Sequence, residues 1–70
     1  MIVYGNLIGE IAKRGYSKKE IAESIGLSRN AFANKLNCKT AFKFEEIETI
    51  YKKYFSDCKL AYLTELYERK

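Results

Sequence analysis

The stretch KKEIAESIGLSRNAFANKL, residues 18–36, decides the fold. Ser17 precedes it, and Glu20 stands three positions later, which is the spacing of a capping box: the hydroxyl accepts from the backbone amide of Glu20 and the carboxylate reaches back. Ile21, Ala22 and Ile25 then recur on one side of a short helix. Gly26 follows, and glycine takes the left-handed backbone of a tight turn without steric cost. Leu27 drops from that turn into the core. Ser28 is the N-cap of a further helix over about Arg29–Leu36, with Phe32 and Leu36 four apart on its buried side. A small residue at Ala22 lets that helix cross close, and Ile21, Ile25 and Phe32 lock the two at a steep angle.

The segments on either side carry the same helical period. Tyr4, Leu7, Ile8, Ile11 and Ala12 form one stripe of a first helix, ended by Gly15. Asn37 to Lys43 reads as a polar loop plugged by Phe42. A fourth helix starts at about Phe44, with Phe44, Ile47, Ile50, Tyr51, Tyr54 and Phe55 inward and Glu45, Glu46, Glu48, Lys52 and Lys53 in water. Ser56 or Asp57 caps a fifth helix over about 58–68, on which Leu60, Leu63 and Tyr67 make one stripe and Tyr62 and Leu66 another. No window alternates with period two over strand length, so no sheet is expected. The reading is a single all-α domain over residues 1–70, a compact bundle of five helices.

Composition excludes several classes of function. The chain of 70 residues has no His, the usual general base and a common zinc ligand. Its two Cys, Cys38 and Cys58, form no CxxC pair, and the expectation is two free thiols without a metal. No nucleophile–base pair and no Gly-rich phosphate loop occurs, so an enzyme, a cofactor and a small-molecule substrate are not expected. No apolar run approaches the roughly 18 residues of a membrane span, and the N-terminus lacks a signal-peptide pattern. A cytoplasmic protein without a membrane partner is expected. The formal charge of +4 is uneven: residues 1–43 carry eight basic and three acidic side chains, whereas residues 44–70 carry five and six. A basic N-terminal portion suggests a face that meets an anionic partner.

Residues 18–36 thus have the composition of a helix-turn-helix. With small Ala22, Gly26, apolar Leu27, Ser28 and Arg29 opening the next helix, apolar Phe32, and Asn37 after it, the chain resembles the lambda-repressor-like, Cro-type DNA-binding domains over about residues 4–55. The stretch KFEEIETIYKKYF is similar to the fourth helix of small prophage repressors from Gram-positive bacteria. Cys38 stands where many members carry Gly, and Lys35 where many carry an apolar residue.

The resemblance implies a five-helix fold whose third helix lies in the major groove. Its exposed positions are then the base-reading set Ser28, Arg29, Asn30, Ala33 and Asn34. Arg suits guanine O6 and N7, Asn suits adenine N6 and N7, and Ala33 is small enough to touch a thymine methyl. Lys18 and Lys19 at the start of the second helix, with Lys35, Asn37, Lys39, Thr40 and Lys43, are the expected phosphate contacts. Lys13, Lys52, Lys53 and Lys59 read as solvated surface.

The implied function is sequence-specific recognition of double-stranded DNA by a phage or prophage-type transcriptional regulator, a repressor, in a bacterial or phage-infected cytosol. A palindromic operator and a homodimer follow from the small footprint of one such unit, with Tyr62, Leu66 and Tyr67 as the dimer or partner surface. The rival reading is a protein-interaction module, antirepressor or antitoxin-like, that keeps the fold but binds protein. An acidic or apolar third-helix face would favour it.

Overall fold

Three consecutive helices end in the same way, and that repeated ending shapes the chain. In the computed structural model, which describes residues 1–68, α1 spans Gly5–Lys13, α2 Lys18–Ser24 and α3 Arg29–Leu36. After α1 the amide of Tyr16 donates to the Ile11 carbonyl at 3.0 Å and that of Gly15 to Ala12 at 3.2 Å. After α2 the amide of Leu27 donates to Ala22 at 2.9 Å and that of Gly26 to Glu23 at 3.1 Å. After α3 the amide of Lys39 donates to Asn34 at 2.8 Å and that of Cys38 to Lys35 at 3.1 Å. Each pair is a Schellman closure, which satisfies the last carbonyls and needs a left-handed residue at its centre. Gly15 and Gly26 supply it at φ +70° and +74°, and Cys38 does so at φ +59°.

Ser17 and Ser28 cap α2 and α3 as expected, but among the described residues the Glu20 carboxylate makes no return bond to the Ser17 amide, so the α2 cap is only half of the expected box. Ser17 Oγ accepts from the Glu20 amide at 3.3 Å, and Ser28 Oγ from the Ala31 amide at 3.1 Å. Helix α4, Phe44–Tyr54, has Lys43 as its N-cap residue, and the Glu46 carboxylate reaches back to the Lys43 amide at 2.8 Å. The core is one cluster of Leu7, Ile11, Ile21, Ala22, Phe32, Leu36, Ile50, Phe55 and Leu63. Helices α2 and α3 pack on each other more extensively than any other two elements. Ala22 and Phe32 are fully buried there, and Leu27 packs against the cluster from the turn. Phe42 plugs the loop before α4, meeting Tyr4 edge-on at 5.2 Å between ring centroids and Phe32 at 6.1 Å.

The C-terminal reading is corrected. The fifth helix is not 58–68 but one turn, α5, over Leu60–Leu63, and its N-cap residue is Lys59 rather than Ser56 or Asp57. The chain then crosses to a short strand β2, Tyr67–Glu68, which pairs antiparallel with β1, Ile2–Val3, with Ile2 opposite Glu68 and Val3 opposite Tyr67. A small sheet therefore exists where none was expected.

Side chains of the first helix hold the tail in that place. Asn6 Nδ2 donates to the Tyr62 carbonyl at 2.9 Å and to Tyr67 Oη at 3.1 Å. The Tyr67 ring lies over Gly5 so closely that a Cβ there would come within 3.0 Å of it. These contacts hold residues 64–68 away from further helical turns. A strand of two residues has no room for a period-two signature.

Two α4 positions also differ from expectation. Phe44 is 67% exposed rather than inward, and the Glu46 side chain, expected in water, is only 11% exposed. Among the described residues no helix is long and apolar enough to cross a membrane.

One side chain joins the distant parts. Arg14 follows α1, and its guanidinium makes a fork to Asp57, Nη1 to Oδ1 at 2.8 Å and Nη2 to Oδ2 at 2.9 Å. Its Nε donates to Glu10 Oε1 at 3.0 Å, and it also donates to the Tyr54 carbonyl and to Cys58 Sγ. The plane lies 5.0 Å from the Phe55 ring centre. Glu10 is buried and accepts from Tyr62 Oη with its other oxygen at 3.1 Å.

The hydrogen bonds from Arg14 hold the Asp57 carboxyl below its ordinary pKa of 3.8. The pair's contribution to stability is therefore present above pH about 4 and lost as the pH falls through the depressed folded value. An Asp57→Asn variant should melt below the parent at about pH 7, with the gap closing towards about pH 2. An equal gap at both pH values would refute this assignment.

Candidate nucleic-acid interface

The exposed side of α3 follows from its register. Phe32 and Leu36 are buried, and Asn30 and Asn34, also four apart, lie on the opposite side, with Arg29 exposed at the first position of the helix. Arg29, Asn30 and Asn34 are exposed, and none makes a side-chain hydrogen bond or ion pair with the described residues. Ala33, half-buried, adjoins them. The Ser28 hydroxyl accepts the N-cap bond and keeps its own proton available to donate. The exposed surface of α3 thus presents a guanidinium and two carboxamides that have no side-chain partner among the described residues.

Cations stand on both sides of this helix in sequence. Lys18 and Lys19 occupy the first turn of α2, exposed and without ion pairs among the described residues. After α3, Asn37 is its half-buried C-cap residue, while Lys39, Thr40 and Lys43 are exposed on the loop to α4. The Schellman bonds at Cys38 and Lys39 tie this loop to the last turn of α3.

Lys35 does not belong with the other lysines. Its Nζ lies 2.6 Å from Glu46 Oε1, both side chains are nearly buried, and it sits 6.0 Å from the Phe42 ring centre. Lys35 is one residue, about 100° of helix, past Asn34 and turned towards α4. Its charge is neutralised inside the fold, so the expected phosphate contact at Lys35 is withdrawn. Burial pushes the Glu46 carboxyl up, but hydrogen bonds from Lys35 and from the Lys43 amide outweigh it, leaving the group below its ordinary pKa.

The residues expected at a partner surface are exposed: Tyr62, Leu66 and Tyr67, along with Met1 and Ile2 in the adjoining ribbon. Their polar ends turn back into the fold. Tyr62 Oη donates to Glu10, and Tyr67 Oη donates to Glu65 Oε2 at 2.6 Å while accepting from Asn6. The bonds donated to Glu10 and to Glu65 raise the phenol pKa values of Tyr62 and Tyr67, the latter against the lowering effect of the bond from Asn6.

Both cysteines are free thiols, Cys38 exposed and Cys58 half-buried beside Arg14. Among the described residues no group of His, Cys, Asp and Glu could hold a metal ion. Comparison with protein-family models, curated proteins and solved structures returns no match.

Sequence reasoning missed Arg14, Glu10 and Asp57 as an organising group and Glu46 as the partner of Lys35. The spacing of Glu10 and Arg14, four apart on α1, was a legible signal. Asp57 lies 43 positions from Arg14, and nothing local connects them.

The left-handed backbone at Cys38 yields a stability prediction. Glycine removes the Cβ strain there, and the extra freedom of the unfolded chain offsets part of the gain. Cys38→Gly should therefore stabilise by about 0.5–1 kcal/mol and raise Tm by about 2–8 °C, while Cys38→Val should lower it. A Gly variant that melts below the parent would contradict the conformation at this position.

Proposed function

We propose that the protein is a sequence-specific double-stranded-DNA-binding regulator of the helix-turn-helix type, acting as a repressor, with α2 and the Gly26 turn holding α3 in the major groove. The observation that carries this reading is the exposed surface of α3, where Arg29, Asn30 and Asn34 stand without side-chain partners among the described residues. Long polar side chains without internal partners on one helix face suit base edges, and exposed lysines before and after that helix suit phosphates. The fully buried Phe32 and Ala22, with Leu27 behind the turn, support a rigid helix pair, which major-groove docking requires.

The roles divide by chemistry. Arg29 reads guanine, Asn30 and Asn34 read adenine, Ala33 allows close approach, and Ser28 donates from the helix start. Lys18, Lys19, Lys39, Lys43, Thr40 and Asn37 hold the backbone. A second copy of the chain, meeting the first through the exposed Tyr62, Leu66 and Tyr67, would place two α3 helices on the half-sites of a palindrome. No cofactor, membrane or small substrate enters the proposal.

The test is selection from a random double-stranded DNA pool at two salt concentrations. Enrichment of a palindrome, with affinity falling steeply as salt rises, is the expected result. Arg29→Ala should lose preference at one position of each half-site and weaken that complex by about 1–3 kcal/mol, whereas Lys18→Ala should weaken all sequences alike and lower the salt slope by about 0.9. Sequence-blind binding that vanishes near physiological salt would overturn the reading and favour a protein-interaction module using the same fold.

A further inference from the structure

One carboxylate oxygen closes the loop that carries most of the proposed phosphate contacts. Glu46 Oε1 accepts from Lys35 Nζ at 2.6 Å and from the Lys43 amide at 2.8 Å. Lys35 belongs to the last turn of α3 and Lys43 is the residue before α4, so the two donors stand at the two ends of the 37–43 segment. The side chains of Lys35 and Glu46 are 12% and 11% exposed, which keeps water from competing for the pair. Phe42 fills the loop from within against Tyr4 and Phe32, and the Lys35 ammonium lies over its ring. Between these anchors the side chains of Lys39, Thr40 and Lys43 are exposed.

We infer that Glu46 is a positioning residue for DNA binding, one that touches no nucleic acid but fixes the 37–43 loop at the end of α3 so that Lys39 and Lys43 meet phosphates in register with the base-reading face. This rests on the DNA-binding reading above. It also gives the buried pair a purpose beyond stability, because an ion pair out of water contributes little net stabilisation of its own. The loop is otherwise held by the backbone bonds around a strained Cys38 and by the packed Phe42 ring, and only the Glu46 oxygen accepts from both α3 and the residue before α4. Mobile lysines still attract DNA, but they contribute weaker contacts because each must be ordered on binding.

The test is a charge-neutral double variant, Lys35→Met with Glu46→Gln, which leaves net charge unchanged and retains an acceptor for the Lys43 amide. Binding is measured to the site selected with the parent protein, at several salt concentrations, well below the melting temperature of both. The expected result is a complex roughly three- to tenfold weaker, a salt slope lower by about 0.9–1.8, as for one or two lost lysine contacts, and unchanged base preferences. Amide hydrogen exchange at Cys38 and Lys39 should quicken in the same variant. Parent-like affinity and slope in a folded variant would overturn the inference. Base preferences lost together with affinity would also overturn it, because a general loosening of α3 predicts that. A double variant that does not fold is replaced by Glu46→Asp, whose shorter side chain can reach only one of the two donors and should give the same change in slope. Absence of specific binding by the parent protein would instead count against the DNA-binding reading itself.

Discussion

The Arg14 guanidinium is the fixed point of this small fold. A planar group with five donors can satisfy Glu10, both oxygens of Asp57, the Tyr54 carbonyl and Cys58 together while lying against the Phe55 ring. A lysine ammonium has neither the fork nor the flat face for this. The effect is to attach the end of α1 to the end of α4 and to the turn before α5. Glu10 then extends the attachment to Tyr62. A chain of this size buries too small a core to fix every element by apolar contact alone. The short C-terminal elements in particular are held by such polar ties.

What could be read from the sequence divides by distance along the chain. The bounds of α3 and the start of α4 matched the reading, and so did the caps at Ser17 and Ser28, because each rests on residues within a few positions of one another. Gly15 and Gly26 marked helix ends for the same reason. Cys38 occupies the third such position, and the backbone there is left-handed all the same, held by two amide bonds and not by the preference of its residue. The fifth helix was overextended because residues 58–68 carry an apolar period that suits a helix, while the forces that stop it come from Gly5 and Asn6 at the other end of the chain.

The candidate site follows the same division. Subtracting the buried Phe32 and Leu36 from α3 left Arg29, Asn30 and Asn34 in view, and those three are exposed. Lys35 was misplaced because its partner Glu46 is 11 residues away, across a loop whose path no local rule gives. The α4 stripe was wrong at its first member for a related reason. Phe44 opens the helix before the body of the domain reaches it, while Glu46 one half-turn on faces α3.

The pairing of Ile2–Val3 with Tyr67–Glu68 has a consequence for how the molecule is made. Helices α2 and α3 can form and meet as synthesis proceeds, since they adjoin in sequence and pack mainly on each other. The ribbon cannot, because β1 precedes all five helices and its partner β2 follows them. Val3, nearly fully buried in the finished fold, has no complete covering until then. Closing so long a loop costs the most chain entropy of any contact here. A ladder of two residues gives it little cooperative support. The β1–β2 pair is thus the last of these contacts to be assembled during biosynthesis and the first to open when the native state breathes.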